Sequence, residues 1–91
     1  MTNYERGAKF ERKVKKMLES LGLFVVRSAG SHGPVDLVAL STSKVFLLQC
    51  KAEKYRKRRT VDMENLLRVS RFFPYSIPVL VDKQVWRGAF H

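Results

Sequence analysis

The sequence predicts one small α/β domain, residues 1–91, in which a central mixed five-stranded sheet is flanked by helices in the order α-β-β-β-α-β-β. Three observations predict this fold class. Apolar residues recur at helical spacing in the first 21 residues, two β-branched-rich runs flank a polar turn at 41–44, and a second helical stretch from residue 60 leads into two further apolar runs. A chain of 91 residues suits a single domain with a modest core.

The first helix is predicted to begin at Thr2, which has capping-box spacing to Glu5, and to end near Leu21, before the stop signal Gly22. At about 100° per residue, one apolar stripe of this helix faces the sheet. Its members are Phe10, Val14, Met17, Leu18 and Leu21. Glu11 falls at the edge of the stripe and leans toward the sheet, although in an isolated helix it would be an ordinary boundary glutamate.

The middle of the chain predicts three strands. The first covers 23–27, and a segment of small residues, 28–34, leads into a hairpin of strands 34–40 and 45–51. If 41–44 form the turn, the register sets Asp36 opposite Gln49. Because side chains alternate along a strand, Gln49 and Lys51 share the face of Asp36, while Cys50 points into the core.

Asp36 is an acid inside an otherwise apolar strand. Burying an unpaired carboxylate is costly, so it calls for a partner, and a metal ion is one that satisfies it. The amide oxygen of Gln49 and the carboxylate of Glu11, turned inward from a basic helix, would be further oxygen donors. His32 is predicted to be a loop residue rather than a ligand, because the only other histidine is the terminal His91.

The second helix is predicted from a Thr60 cap to Pro74, which ends it. Its predicted core stripe is Met63, Leu66, Leu67, Ser70 and Phe73. Phe72 projects to the opposite side, which suggests an interface, although isolated surface aromatic residues are common. Strands at 77–81 and 85–90 then close the sheet.

The net charge of +10, from 18 Lys and Arg against 8 Asp and Glu, attracts polyanions. Charge alone also fits a merely soluble basic protein. Its distribution favours nucleic acid, because one basic run lies beside the candidate site and a second set lines the first helix. The run contributes Lys54, Arg56, Lys57, Arg58 and Arg59, and the helix contributes Arg6, Lys9, Arg12, Lys13, Lys15 and Lys16.

No apolar run is long enough to span a bilayer, and the N-terminus lacks the order of a secretory signal. The sequence therefore predicts a soluble protein of the cytoplasm, without membrane partners. Its single cysteine, Cys50, forms no internal disulfide and is predicted to be a core residue, which agrees with a reducing compartment.

These residues resemble a known family. The acid on the first helix, Asp36 after Val35, and Gln49-Cys50-Lys51 resemble the core of the PD-(D/E)XK nucleases, and the fuller pattern resembles the archaeal-type Holliday junction resolvases. The resemblance includes Gly7-Ala8, Glu11-Arg12, residues 25–31, residues 35–39, Lys51, Asp62-Met63, residues 70–72, residues 77–80 and Trp86-Arg87. Within it, Arg-Ser-Ala-Gly-Ser at 27–31 is the most specific part.

The resemblance implies a restriction-endonuclease-like fold and a homodimeric enzyme that cleaves four-way DNA junctions. It implies that Glu11, Asp36 and Gln49 hold Mg²⁺, for which Mn²⁺ would substitute. Lys51 would orient the attacking water and stabilise developing charge. Phosphate binding and activity are implied for Arg12, Arg27 and Ser31. The sequence carries no signal for accessory replication or recombination proteins.

Gln49 departs from the family pattern, in which a glutamate is usual. A neutral amide removes one negative charge, so weaker metal binding is expected, and Glu53 is a candidate to compensate. Three hypotheses stay open: a junction-resolving nuclease, a protein that binds branched DNA with little or no cleavage, and a nuclease for another structure such as a flap or mismatch. The absence of a recognition domain favours recognition by shape and phosphate.

Overall fold

The computed structural model describes residues 2–28, 33–52 and 59–82. Two helices and four strands follow one another as α1 (Asn3–Ser20), β1 (Phe24–Arg27), β2 (Leu37–Leu40), β3 (Val45–Lys51), α2 (Arg59–Ser70) and β4 (Ser76–Asp82). The strands form one sheet in the order β1-β2-β3-β4, with β1, β2 and β3 antiparallel and β3 parallel to β4. This confirms a small α/β domain with a mixed sheet, while the fifth strand predicted at 85–90 lies outside the described residues.

Helix α1 has the predicted ends. Thr2 Oγ1 accepts a hydrogen bond from the Glu5 N–H at 3.1 Å, which is the N-cap bond of the predicted capping box, and the Thr2 hydroxyl donates to the Glu5 carboxylate at 3.2 Å. At the other end Gly22 has a φ of 89°, a conformation that glycine adopts without steric cost. The Leu23 N–H then donates to the Leu18 carbonyl at 3.2 Å, which closes a Schellman motif.

The core lies between α1 and one face of the sheet. Its buried members are Phe10, Val14, Leu18, Val25, Leu37, Ala39, Leu48, Cys50 and Val81. Most of the predicted α1 stripe is therefore confirmed, but the prediction for Leu21 is wrong, because it is 65% exposed. The helix ends at Ser20, so Leu21 lies at the C-cap, beyond the part of α1 that packs on the sheet.

The β2–β3 hairpin has the predicted register. Leu40 pairs with Val45, and the pairing continues to Leu37 with Leu48. In the turn, the Lys44 N–H donates to Ser41 Oγ at 2.9 Å, and the Ser41 N–H donates to the Lys44 carbonyl at 2.9 Å. A slip of one residue would turn every side chain to the other face, so this register decides which residues of β3 face α2.

Helix α2 buries only part of the predicted stripe: Leu66 is buried and Met63 and Ser70 are half-buried, whereas the predictions for Leu67 and Phe73 are wrong. Leu66 is fully buried, but Leu67 is 41% and Phe73 is 56% exposed. The helix packs on β3 and β4 through the face of Asp62 and Leu66, and it ends at Ser70, so Phe73 lies beyond it. Thr60 is the second residue of α2 rather than its cap.

Sequence periodicity predicts burial for both Leu66 and Leu21, but only Leu66 is buried in the structure. Substituting each residue therefore tests whether the packing seen in the structure, rather than the periodicity, determines stability. We expect Leu66→Ala to lower the free energy of unfolding by about 2–5 kcal/mol, through lost apolar burial and the cavity left behind. Leu21→Ala, at an exposed C-cap, should change it by no more than about 0.5 kcal/mol. Urea unfolding followed by circular dichroism measures both. Equal losses would contradict the packing described here.

Candidate active site at the end of strands β2 and β3

The carboxylate of Asp36 is held by the backbone at the point where β2 begins. The Asp36 N–H donates to the Leu48 carbonyl at 2.8 Å, and the Asp36 carbonyl accepts from the Ser28 N–H at 2.9 Å. Its Oδ2 accepts from the Cys50 N–H at 2.8 Å. Asp36 lies just before the paired residues of β2. The Cys50 N–H therefore donates its hydrogen bond to the Asp36 side chain and not to a carbonyl of β2. The acid is therefore fixed at the end of the hairpin.

Glu11 reaches the same place from α1. Its carboxylate lies close enough to that of Asp36 to raise the pKa of Asp36, and Arg27 Nη2 donates to Glu11 Oε2 at 3.2 Å. Burial raises the pKa of Asp36 above its usual value, and the charge of Glu11 raises it further, against the opposing effects of the Cys50 N–H and Lys51. Two acids thus lie side by side, partly neutralised by the cations of Arg27 and Lys51.

Arg27, on β1, contacts the pair of acids Glu11 and Asp36 through its hydrogen bond to Glu11. It is the last residue of β1 and pairs with Leu37 on β2. Its guanidinium is mostly buried, and Nε has no hydrogen-bond partner among the described residues. Such a donor is available to an anion in the site, because a buried guanidinium N–H without a partner is costly.

Gln49 and Lys51 face α2, as alternation along β3 predicts. They line a cleft of about 420 Å³ whose other walls are Gly33, Pro34, Asp62, Asn65, Arg68 and Val69. Gln49 is only 7% exposed, and within the described parts of the chain its Oε1 accepts no hydrogen bond. A buried acceptor of this kind is suited to a ligand that the cleft receives.

The structure brings Glu11, Asp36, Arg27 and Lys51 together, and it places Gln49 two residues before Lys51 on the wall of the cleft. Arg12 is exposed on α1. Ser31, His32, Glu53, Lys54, Arg56, Lys57, Arg58 and His91 lie outside the described residues, and Arg59 begins α2.

Sequence reasoning missed the α2 side of the cleft. In the sequence, Asp62 is noted only as part of the family resemblance, and neither Asn65 nor Arg68 is a candidate site residue. The available signal was their spacing of three residues, which places polar side chains on one face of a helix. That face is turned to Gln49 and Lys51.

The donor set fits a hard divalent cation. Two adjacent carboxylates and a buried amide oxygen are the oxygen ligands that Mg²⁺ prefers. In the part of the chain that the structure describes, no three His, Cys, Asp or Glu side chains cluster as a metal site. Cys50 is a core residue, as predicted, and burial raises the pKa of its thiol, which makes it unsuited to bind metal as a thiolate.

Across the described residues no helix has the length and hydropathy to cross a membrane. A family described as archaeal Holliday junction resolvase (Hjc) matches residues 2–76 of the chain. The crossover junction endodeoxyribonuclease Hjc of Methanocaldococcus jannaschii is 40% identical over 72 residues, which cover 77% of this chain and 53% of that protein. The chain therefore spans about half the length of this curated relative.

The fold is similar to a solved structure, Hjc of Archaeoglobus fulgidus, described as a Holliday junction resolvase from an archaeal hyperthermophile. The TM-score is 0.62 at 24% sequence identity, over 86% of this chain and 66% of that chain. This likeness supports the arrangement of helices around a mixed sheet.

Proposed function

Because the chain belongs to the archaeal Holliday junction resolvase family, we propose that it is a metal-dependent endonuclease that resolves four-way DNA junctions. The observation that carries the proposal is the Asp36 carboxylate, fixed by the Cys50 N–H beside Glu11 and Lys51. Two acids and a lysine at one point are suited to hydrolysis of a phosphodiester, in which charge develops on phosphoryl oxygens.

Glu11, Asp36 and Gln49 are the proposed ligands of Mg²⁺, with Mn²⁺ as a substitute. Once bound, such an ion polarises a phosphoryl oxygen and lowers the pKa of a bound water. The protein contributes rigidity, because the Cys50 amide fixes Asp36 and Arg27 holds Glu11 at 3.2 Å. This preorganisation keeps the two like charges together before the ion arrives.

Lys51 is proposed to orient the attacking water and to stabilise the negative charge that develops on the phosphoryl group. It lies at the end of β3, half-buried on the cleft wall and near enough to attract the charge of Asp36. Water forms the new bond to phosphorus while the bond to the leaving strand oxygen breaks. A fixed ammonium next to the phosphoryl group stabilises this charge more in the transition state than in the substrate.

The substrate strand is proposed to be held through its phosphates. The proposed contacts are Arg12, Arg27, Ser31, Lys54, Arg56, Lys57, Arg58 and Arg59. A net charge of +10 predicts binding that weakens steeply with salt. Membership of the family is the reason to expect recognition of junction shape rather than sequence. The DNA substrate and the free thiol of Cys50 both suit a cytoplasmic location.

Two matched nicks require two active sites, and we propose a symmetric homodimer. Beyond α2, Phe72 is 78% exposed, and Phe73 and Tyr75 beside it are also exposed. Three large exposed rings within four residues are typical of an interface. Pairing of this segment with its copy would place one site on each side of the two-fold axis.

If the rings form that interface, Phe72→Glu should convert the dimer to a monomer, because it buries a charge at the contact. Analytical ultracentrifugation measures the mass, and a junction assay should show single nicks in place of paired ones. Phe24→Glu is the matched control, since Phe24 is an exposed ring on β1. If Phe72→Glu stays dimeric, the interface does not include Phe72. If Phe24→Glu is monomeric, the interface lies at β1 instead.

Cleavage of a labelled four-way junction tests the proposed function. Duplex, flap and mismatched DNA of the same sequence serve as controls, each with Mg²⁺, with Mn²⁺ and with chelator. Paired metal-dependent nicks near the branch point support the proposal. Equal cutting of the flap or the mismatch would instead identify a nuclease for another structure.

A second candidate function is binding of branched DNA without cleavage. Gln49 favours it, because the amide supplies an oxygen but no negative charge, and the affinity for a divalent ion falls with ligand charge. A gel shift in the same samples distinguishes the two. Tight junction binding with no nicks in either metal would support this candidate.

A further inference from the structure

The cleft beside the proposed catalytic residues carries cations on two different elements, Lys51 on β3 and Arg68 on α2. We infer that Arg68 is a positioning residue that binds a phosphodiester of the substrate strand, next to the one that is cleaved. By holding this neighbouring phosphate it keeps the strand in place at Lys51. The inference rests on the proposed function and adds to it a DNA contact from the α2 wall of the cleft.

Both cations are available to an anion. Within residues 2–28, 33–52 and 59–82, neither Lys51 nor Arg68 forms an ion pair with a carboxylate. Arg68 is exposed and Lys51 is half-buried, so a ligand that enters the cleft from solvent reaches both side chains. Positive charges that line one concavity attract an anion more strongly than charges scattered over an open surface, because the walls focus the field.

The cleft also contains a carboxylate, Asp62, but the balance of charge stays positive. Asp62 is only 7% exposed and already has an interaction partner. Two cations and one acid give the lining a formal charge of +1. A phosphodiester carries a single negative charge, so this balance favours a phosphate of the DNA over a metal ion on the α2 side of the cleft.

The α2 wall supplies hydrogen-bond donors as well as charge. Asn65 lies three residues before Arg68, on the same face of the helix, and lines the same cleft. A guanidinium and a side-chain amide both donate to phosphate oxygens, and the guanidinium can donate two parallel bonds to one phosphate. Pro34 and Val69 add apolar surface to the lining, which strengthens such hydrogen bonds by lowering the local dielectric constant.

The β3 wall has a different role in the proposed mechanism. Gln49 Oε1 is a buried acceptor without a donor among the described residues, which suits the proposed cation and not a phosphate oxygen. Lys51 is proposed to act on the phosphoryl group that reacts. A strand held there extends toward α2 across the cleft, so its next phosphate meets Arg68.

The ordinary alternative is that Arg68, the basic residue in the last turn of α2, only complements the negative end of the helix dipole. That role requires a cation near the helix end but no place in the cleft. Arg71, one residue past α2, is an exposed cation at the same end and is not part of the cleft lining. The two roles differ in one measurable respect, because only a phosphate contact makes Arg68 sensitive to one particular phosphate of the DNA.

Junction binding in chelator, followed by fluorescence anisotropy at several salt concentrations, tests the inference without cleavage. We expect Arg68→Ala to weaken junction binding and to reduce the slope of log affinity against log salt by about one unit, as loss of one phosphate contact does. Arg68→Lys keeps the charge but not the parallel donors, so it should keep the parental slope with part of the affinity. Parental affinity and slope in Arg68→Ala would overturn the inference.

Methylphosphonate substitution locates the contact, because it makes one phosphate of the junction neutral. One neutral linkage near the branch point should weaken binding by the parent but cost Arg68→Ala nothing further, since that contact is already lost. Arg71→Ala removes an equal charge outside the cleft and should stay as sensitive to this linkage as the parent. Equal sensitivity of the parent and Arg68→Ala at every linkage near the branch point would contradict the inference.

Cleavage of the same junctions in Mg²⁺ distinguishes failure of this inference from failure of the proposed function. If the parent nicks the junction while Arg68→Ala keeps the parental slope and linkage sensitivity, the nuclease stands and the role of Arg68 is refuted. If the parent binds without nicks while Arg68→Ala loses the contact to one linkage, the phosphate site stands and the nuclease function is refuted.

Discussion

Asparagine at position 36 is expected to reduce junction cleavage by roughly a thousandfold or more while leaving junction binding intact. The substitution removes one of the two adjacent carboxylates of the site but keeps the side-chain oxygen that accepts the Cys50 N–H. The local backbone should therefore stay in place, and the loss should come from weaker metal binding. Single-turnover cleavage and a gel shift on the same four-way junction measure the two effects separately.

The stability of Asp36→Asn provides a control with a defined sign. Burial, together with the charge of Glu11, raises the pKa of Asp36 in the folded state. An acid whose folded pKa is raised is disfavoured when ionised, so at neutral pH it lowers the stability of the metal-free protein, and this cost disappears as the pH falls through the raised pKa. Asparagine carries no charge, so Asp36→Asn should unfold at the same temperature as the parent or higher at pH 7.

The matched variant is Glu19→Gln, which removes an exposed acid of α1 that is paired with Lys15 at 3.1 Å. It should change neither cleavage nor stability noticeably, because surface ion pairs contribute little. Cleavage by Asp36→Asn at the parental rate would show that the metal site is elsewhere. A large loss of thermal stability would show that Asp36 is mainly structural.

The second large effect is expected for Lys51→Ala. Removing a fixed ammonium next to the reacting phosphoryl group should slow cleavage by about a hundredfold to a thousandfold, the range found when one preorganised charge or donor is lost. Mn²⁺ binding should be unchanged or tighter, because the lysine repels the ion while it attracts Asp36. The expected signature is slow cleavage at saturating metal, measured in single turnover.

Lys44→Ala controls for the loss of a positive charge, because Lys44 is exposed in the turn at the other end of the same hairpin. It should lower junction affinity slightly and leave the cleavage rate of the bound junction unchanged. Lys51→Arg, which keeps the charge with a different shape, should retain part of the activity. If Lys51→Ala loses Mn²⁺ binding together with cleavage, Lys51 supports the metal site rather than the chemistry.

Local signals were sufficient for part of the fold. The Thr2 N-cap with Glu5, the stop at Gly22 and the turn at 41–44 depend on residues within a few positions of each other, and the structure confirms all three. The register of β2 and β3 followed from that turn, because a hairpin with a defined loop has one pairing. The position of Asp36, at the end of the β2–β3 pairing, followed from this register.

Long-range packing decided the rest. Periodicity placed Leu67 and Phe73 in the core, but α2 buries the face of Leu66 and Asp62, because only that face meets β3 and β4. No local rule specifies the rotation of a helix with a weakly amphipathic sequence, since several stripes bury similar apolar area.

The sequence by itself determined the two ends of α1, the hairpin and the acids Glu11 and Asp36 with Lys51, since these depend on short-range chemistry and on alternation along a strand. Only the tertiary structure decided that Arg27 pairs with Glu11 at 3.2 Å and that Asp62 lies across a cleft from Gln49. These contacts join residues from different elements. Their formation depends on how the helices pack on the sheet, which is the sum of many small burial energies.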